Sequence, residues 1–293
     1  GNISTHAAFG SVLGSGSQIV VLTDGGAVHV LQPNGATAAG FPVELGNSPG
    51  PAGPVLWDLD GDGAAEIVVH AGDSLYVLRG DGSGYPGFPV EAASDYGPAA
   101  SPAVGDIYGD GSAEIVAMSY REIYVFDASG APVDSFPVEL DSDYAFSYSA
   151  PILADLDGND TLEICAGYHR ITGSSNGYMG VWNAFGGEFS GWPELMESYG
   201  SWCYSSPAAG DVDGDGFPEI CSASMNGSGY IFNGDGVAPD PWSVSLGLGR
   251  LESSPLLADM NDTGVPDALF LGNDSDGGIT CLDFSGAALD SFP

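Results

Sequence analysis

The chain has 293 residues, 43% of them hydrophobic and 11% aromatic, which is enough for a substantial folded core. Forty acidic residues face only four basic ones, all arginine, for a formal charge of −36, so the chain repels a phosphate backbone, which argues against a nucleic-acid partner. No apolar run approaches the length of a transmembrane segment, residues 1–20 do not read as a secretory leader, and 46 glycines with 20 prolines predict many tight turns in an all-β chain.

In chain order, one unit recurs six times. A degenerate copy, FGSVLGSGSQIVVL, begins at Phe9. It is followed by PVLWDLDGDGAAEIVV from Pro54, PAVGDIYGDGSAEIVA from Pro102, PILADLDGNDTLEICA from Pro151, PAAGDVDGDGFPEICS from Pro207 and PLLADMNDTGVPDALF from Pro255. The acid that closes each loop is Glu66, Glu114, Glu163, Glu219 or Asp267, giving steps of 48, 49, 56 and 48 residues. Within the third copy, strand A is predicted at 102–105, B at 114–119, C at 122–126 and D over roughly 133–140. The turn between C and D reads QPNG, RGDG, DASG, NAFG, NGDG and DFSG, ending each time in the residue that tolerates positive φ. Strand D carries Phe-Pro or Trp-Pro at Phe41, Phe88, Phe136, Trp192 and Phe292, with the order reversed at Pro241-Trp242, as suits an edge strand. Four strands per period of about 48 residues predict a six-bladed β-propeller. It fills a single domain, with blades at 1–48, 49–96, 97–145, 146–201, 202–249 and 250–293.

The loops between strands A and B carry the candidate metal chemistry. Asp58, Asp60 and Asp62 alternate, Gly63 allows a sharp turn, and Glu66 closes the loop, so several hard oxygen ligands converge. The pattern recurs as Asp155, Asp157, Asn159 and Glu163, and as Asp211, Asp213, Asp215 and Glu219. The carbonyls of Ala64, Thr161 and Phe217 at the seventh loop position are expected as further ligands. Two weaker versions are Asp106, Asp110, Ser112 and Glu114, with Tyr108 in place of a carboxylate, and Asp259, Asn261, Thr263, Val265 and Asp267. Ca²⁺, which accepts six to eight oxygens, suits these sets better than Mg²⁺, giving three strong sites and two weaker ones. An EF-hand is excluded, because its twelfth position would be Val69 or Ser222 and the following residues read as strand.

The DxDGDGxxEI loop in a unit of about 48 residues resembles the FG-GAP/VCBS repeat of integrin α-subunit propellers and of many secreted bacterial proteins, over essentially the whole chain. The resemblance implies Ca²⁺ held by side chains at loop positions one, three, five and nine and by the carbonyl at seven. The Phe-Gly and Gly-Ala-Pro words of the eukaryotic repeat are absent, and the GFPVEL strands look more like the bacterial branch, so integrin partners do not carry over.

The opposite ends of the strands collect aromatics and arginines. Tyr96, Tyr144, Tyr148, Tyr199, Trp202, Tyr204 and Arg250 fall in D–A connections, and His70, Arg121, His169 and Arg170 in B–C loops, of which 169–179 accounts for most of the long step. Tyr, Trp and Arg are common binding anchors, so Tyr96, Arg121, Tyr144, Tyr148, His169, Arg170, Tyr199, Trp202, Tyr204 and Arg250 are the candidate ligand residues. Arg79-Gly80-Asp81 spells an adhesion word but occupies the C–D turn that sister copies fill otherwise. Cys165, Cys203, Cys221 and Cys281 lack metal spacing, and Cys165 and Cys221 read as buried strand residues. No catalytic motif appears, so the chain is expected to be a non-enzymatic, extracellular or cell-surface module that is stabilised by calcium and binds a glycan or protein. The alternatives are a structural subunit of a larger surface protein or filament, and a polysaccharide-acting enzyme similar to the lyases that use such propellers, with His70, His169, Arg121 and Arg170 as its groups.

Overall fold

The structure is a computed structural model and describes residues 2–3, 5–92, 100–146, 148–173, 176–196, 202–234, 242–272 and 278–289. Strands are β1 (Ala8–Gly10), β2 (Gln18–Leu22), β3 (Ala27–Leu31), β4 (Val43–Glu44), β5 (Val55–Trp57), β6 (Glu66–Ala71), β7 (Ser74–Leu78) and β8 (Val90–Glu91). They continue as β9 (Ala103–Gly105), β10 (Glu114–Met118), β11 (Glu122–Asp127), β12 (Val138–Glu139), β13 (Tyr144–Phe146), β14 (Ile152–Ala154), β15 (Glu163–Arg170) and β16 (Gly177–Trp182). The rest are β17 (Glu194–Met196), β18 (Ala208–Gly210), β19 (Glu219–Ala223), β20 (Ser228–Phe232), β21 (Trp242–Ser245), β22 (Leu256–Ala258), β23 (Asp267–Leu271) and β24 (Ile279–Leu282). The described residues contain no helix.

Each repeat forms one antiparallel sheet in sequence order, β1 to β4, β5 to β8, β9 to β12 and β18 to β21. The fourth repeat has five strands, and the sixth has β22, β23 and β24, its expected strand D at Phe292 lying outside the described residues. Antiparallel order places the A–B loops and C–D turns of a sheet at one end and the B–C turns at the other. The chain divides into two compact units, 1–106 with 110–140, and 107–109 with 141–293.

The B strands explain how adjacent sheets pack. All residues of β6, β10 and β19 are buried, the pattern of a strand covered on both faces. In the first unit Ile67, Val69 and Ala71 join Val20, Leu22 and Val30 of the first sheet, while Val68 faces Ile115 and Ala117 of the third. The second unit repeats the alternation. Ile220, Tyr230 and Phe232 face the fourth sheet, whereas Cys221, Ala223 and Ile231 face the sixth. The period of two along a strand thus gives each repeat two cores. Serines before the prolines of strand A tie neighbours together: Gly53 N–H donates to Ser101 Oγ (2.8 Å), Ala150 N–H to Ser206 Oγ (2.9 Å) and Ser206 N–H to Ser254 Oγ (3.0 Å).

The C–D turns follow the expected pattern, with Gly35, Gly82, Gly130, Gly186 and Gly286 at φ between 79° and 84°. Strand D is shorter than expected. In the third repeat it is the pair Val138–Glu139, because Pro137 has no N–H to give to the ladder. The Phe41-Pro42, Phe88-Pro89, Phe136-Pro137 and Trp192-Pro193 bonds are cis, and Pro241 lies outside the described residues. All four cysteines are free and buried.

Candidate functional site

The A–B loops build themselves around their first aspartate. Asp58 accepts N–H bonds from Asp62 (3.1 Å) and Gly63 (2.9 Å), Asp62 accepts from Ala64 (2.7 Å), and Glu66 reaches back from β6 to accept from Leu59 (2.9 Å). Asp155 accepts from Gly158, Asn159 and Asp160, and Glu163 from Leu156 (3.0 Å). Asp211 accepts from Gly214 and Gly216, and Glu219 from Val212 (2.9 Å). The third loop uses Asp106 for Asp110 and Gly111, and Asp110 for Ser112. The sixth uses Asp259 for Thr263 and Gly264, and Asp267 for Met260. In three loops the carboxylate oxygens converge within 4.8 Å of one another: Asp58, Asp60 and Asp62; Asp155, Asp157 and Glu163; Asp211, Asp213 and Glu219.

Glu163 and Glu219 are fully buried, with one oxygen on a backbone N–H and Oε1 without a hydrogen-bond partner among the described residues. A buried anionic oxygen left unpaired is costly, so these loops are incomplete without a further positive or donor group. The first repeat supplies the comparison. Gln18 holds the closing position, its Oε1 accepts the Leu13 N–H (3.1 Å), and its Nε2 donates to the Ser15 carbonyl (3.0 Å). In the sixth loop Asn261 Nδ2 donates to Asp267 Oδ1 (3.2 Å). In the first and sixth loops an amide thus supplies a hydrogen bond inside the loop, and the donor sets of the second, fourth and fifth loops fit a hard divalent ion. Sequence reasoning missed Gln18, although an amide at the closing position of a loop stripped of acids was a legible signal.

Burial pushes the Glu163 and Glu219 carboxyls up to about 7, against the pull of the Leu156 and Val212 N–H groups, and the neighbouring aspartates push the same way as burial. Burial also raises Glu66. A raised folded-state pKa contributes stability that is complete below the ordinary value of about 4.5 and is lost as pH rises through about 7. A bound cation would take the proton's place. In chelator, melting temperatures are therefore expected to fall between pH 5 and pH 8, and excess divalent cation to abolish that fall; parallel profiles in the two conditions would contradict it.

Arg79 lies at this end, 3.4 Å from Asp60 and over the Tyr85 ring at 4.9 Å. Asp81 accepts from the N–H and hydroxyl of Ser83, the turn-forming role that Asp127 plays for Ser129. Arg79-Gly80-Asp81 is thus committed to its own turn and loop.

The other end corrects several expectations. Tyr96 and Tyr199 lie outside the described residues. Tyr144 is not in a connection but opens β13, edge-on to Tyr168 and Tyr178 at 5.6 Å, and Phe146 is buried against Tyr168 and Trp182. The reason is the length of β15, eight residues, whose final part Tyr168–Arg170 runs beyond β14 and pairs with β13 instead. Part of the extra length assigned to a loop at 169–179 is therefore strand. His169 lies in β15, buried and tilted against Trp202 with ring centroids 4.4 Å apart, and burial lowers its pKa to about 4. His70 lies in β6, equally buried and lowered to about 4 by burial. Arg121 pairs with Glu139, and Arg170 with Asp143 at 3.2 Å.

The structure does bring together Tyr148, Trp202, Tyr204 and Arg250. Tyr148 is 55% exposed at φ 59° and meets Tyr204 edge-on at 4.9 Å. Trp202 lies 5.8 Å from Tyr204, its carbonyl accepts the Met225 N–H (3.0 Å), and its Nε1 is buried without a partner among the described residues. Arg250 pairs with Glu252 at 2.9 Å and reaches Met225 Sδ at 3.6 Å. The next residue after Tyr148 anchors it, since Ser149 Oγ accepts the Gly167 N–H (3.1 Å). Gly167 has no room for a Cβ because Cys203 Sγ and Ser149 Oγ occupy that space.

Tandem four-stranded antiparallel sheets with an acidic loop between the first two strands define an all-β repeat protein of the propeller class. Residues 211–270 match the family model of the FG-GAP-like repeat. Among solved structures it is similar to BBS1N in complex with ARL6DN, with TM-score 0.64 and 11% identity over 96% of this chain and 78% of that one. It is also similar to a Bacillus licheniformis rhamnogalacturonan lyase, with TM-score 0.54 and 16% identity over 93% of this chain and 58% of that one. A third is the V. cholerae biofilm matrix protein Bap1, with TM-score 0.52 and 21% identity over 81% of this chain. The chain spans 38% of that matrix protein. No curated protein matches.

Proposed function

We propose that the protein is an extracellular or cell-surface binding module of six blades in one domain, stabilised by calcium at the A–B loops and non-enzymatic, that recognises a glycan or protein at the other end of its sheets. The second, fourth and fifth loops hold Ca²⁺ through the carboxylates named above, with the carbonyls of Ala64, Thr161 and Phe217 completing the shell. The third loop, with Tyr108 at a ligand position, and the sixth, with only two carboxylates at such positions, bind more weakly. A role in a biofilm matrix or similar surface assembly accords with the likeness to the matrix protein, and an acidic, calcium-requiring chain suits an extracellular setting.

The observation that carries the binding reading is Tyr148, a large side chain held exposed at positive φ, because such strain persists where the surroundings impose it and clusters at functional sites. The lyase reading has less support. Its candidate imidazoles are buried and neutral, and its arginines Arg121 and Arg170 are engaged in ion pairs. The test is retention of extracellular matrix fractions on immobilised protein in calcium, after periodate or protease treatment of the fraction. Loss of retention after one treatment identifies a glycan or a protein ligand; no retention from untreated fractions would contradict a binding module.

A further inference from the structure

We propose that Tyr148, Tyr204 and Arg250 form a subsite for the pyranose rings of a neutral glycan, an inference that rests on the binding-module reading and names its ligand class. The aromatic part is an edge-to-face pair at 4.9 Å with Tyr148 55% exposed, offering ring surface to the apolar C–H face of a sugar. The polar part lies beside it. Arg250 reaches Met225 Sδ at 3.6 Å, the Met225 N–H donates to the Trp202 carbonyl, Trp202 lies 5.8 Å from Tyr204, and the Arg250 side chain is 59% exposed, so guanidinium, carboxylate and phenol groups bring both donors and acceptors to ligand hydroxyls.

Charge selects the ligand class. The Arg250–Glu252 pair leaves the patch without net positive charge, and the chain carries −36 in total with no lysine. A polyuronate or sulfated chain meets a repulsive field, whereas a neutral sugar does not. The site is also preorganised. Ser149 Oγ accepts from Gly167, Ala150 N–H donates to Ser206 Oγ, and between these anchors and β13 the Tyr148 backbone is held at φ 59°. Such a ring loses little freedom on binding. Trp202 belongs to the floor, packed against the buried His169, so its removal would confuse stability with recognition.

The test uses the full chain in calcium. Affinity electrophoresis and titration calorimetry are run with neutral gluco-, manno-, xylo- and galactopolysaccharides, and with polygalacturonate as the anionic probe. The expected result is saturable binding of at least one neutral polysaccharide, weakened about tenfold or more by Tyr148→Ala and by Tyr204→Ala, each a loss of about 1.4 kcal/mol. Tyr148→Phe should bind nearly as well as the native chain. Tyr148→Gly should lose binding yet melt slightly higher, by roughly 1–3 °C, because glycine relieves the positive φ. A structural role for Tyr148 would give the opposite shift in the melt. Tighter binding of polygalacturonate, or neutral binding that survives both alanine substitutions, overturns this proposal and leaves the binding module standing. Retention of protein ligands alone also overturns it, and retention of nothing overturns both.

Discussion

Removing divalent cations at pH 8 lowers the melting temperature by about 10 °C relative to millimolar calcium. The size follows from linkage. A site with an affinity of about 0.1 mM, typical of extracellular modules, contributes roughly 1.8 kcal/mol at about 2 mM calcium, so three sites contribute about 5 kcal/mol. For a chain this long each kcal/mol moves the midpoint by roughly 2 °C. The physical source is local. Asp155, Asp157 and Glu163, like Asp211, Asp213 and Glu219, bring three acidic oxygens within 4.8 Å, and the buried Oε1 of each glutamate has no hydrogen-bond partner among the described residues. Scanning calorimetry in calcium and in chelator checks it, and superimposable melts would remove calcium from the account.

The second expected result is a reversal of sign. Glu163→Gln and Glu219→Gln should each stabilise the protein in chelator and destabilise it in calcium. Without a cation, the amide removes a buried anion from beside two aspartates and supplies an N–H to a loop carbonyl, as Gln18 does for Ser15 in the first repeat. With calcium present, the same change deletes a charged ligand and forfeits about 2 kcal/mol of linkage. An ordinary structural glutamate would shift stability in the same direction under both conditions. Paired urea titrations of the variants decide between these outcomes.

Much of this was legible in the sequence because the repeat is written in residues whose roles are local. Alternating aspartates must cap a tight loop, the turn-ending glycines must take positive φ, and alternate residues of Ile67–Val69 and Ile220–Cys221 must face different neighbours. The less legible part depends on what lies across from a residue. Tyr144 reads as a rim aromatic, yet the extension of β15 recruits it as a strand partner. His70 and His169 sit at positions that a loop and a strand end share in sequence, and only the pairing shows them inside β6 and β15. The RGD word fails as a signal for the same reason, since Asp81 serves its own turn.

The two chemistries also explain the composition. Carboxylates concentrate in the A–B loops, where alternation brings their oxygens together, and the exposed aromatic ring of Tyr148 sits at the other end of its sheet, where the B–C hairpin turns. If the acidic loops hold calcium as proposed, their stabilisation exceeds the cost of holding Tyr148 at positive φ, roughly 1–3 kcal/mol.

The most direct test is the number of calcium ions bound, measured by equilibrium dialysis with calorimetric titration on the native chain and on the Glu163→Gln and Glu219→Gln variants. The account predicts three well-occupied sites in the native chain, with one lost in each variant and two in the double variant. A native chain that binds no calcium, or variants that bind as many ions as the native chain, would contradict it.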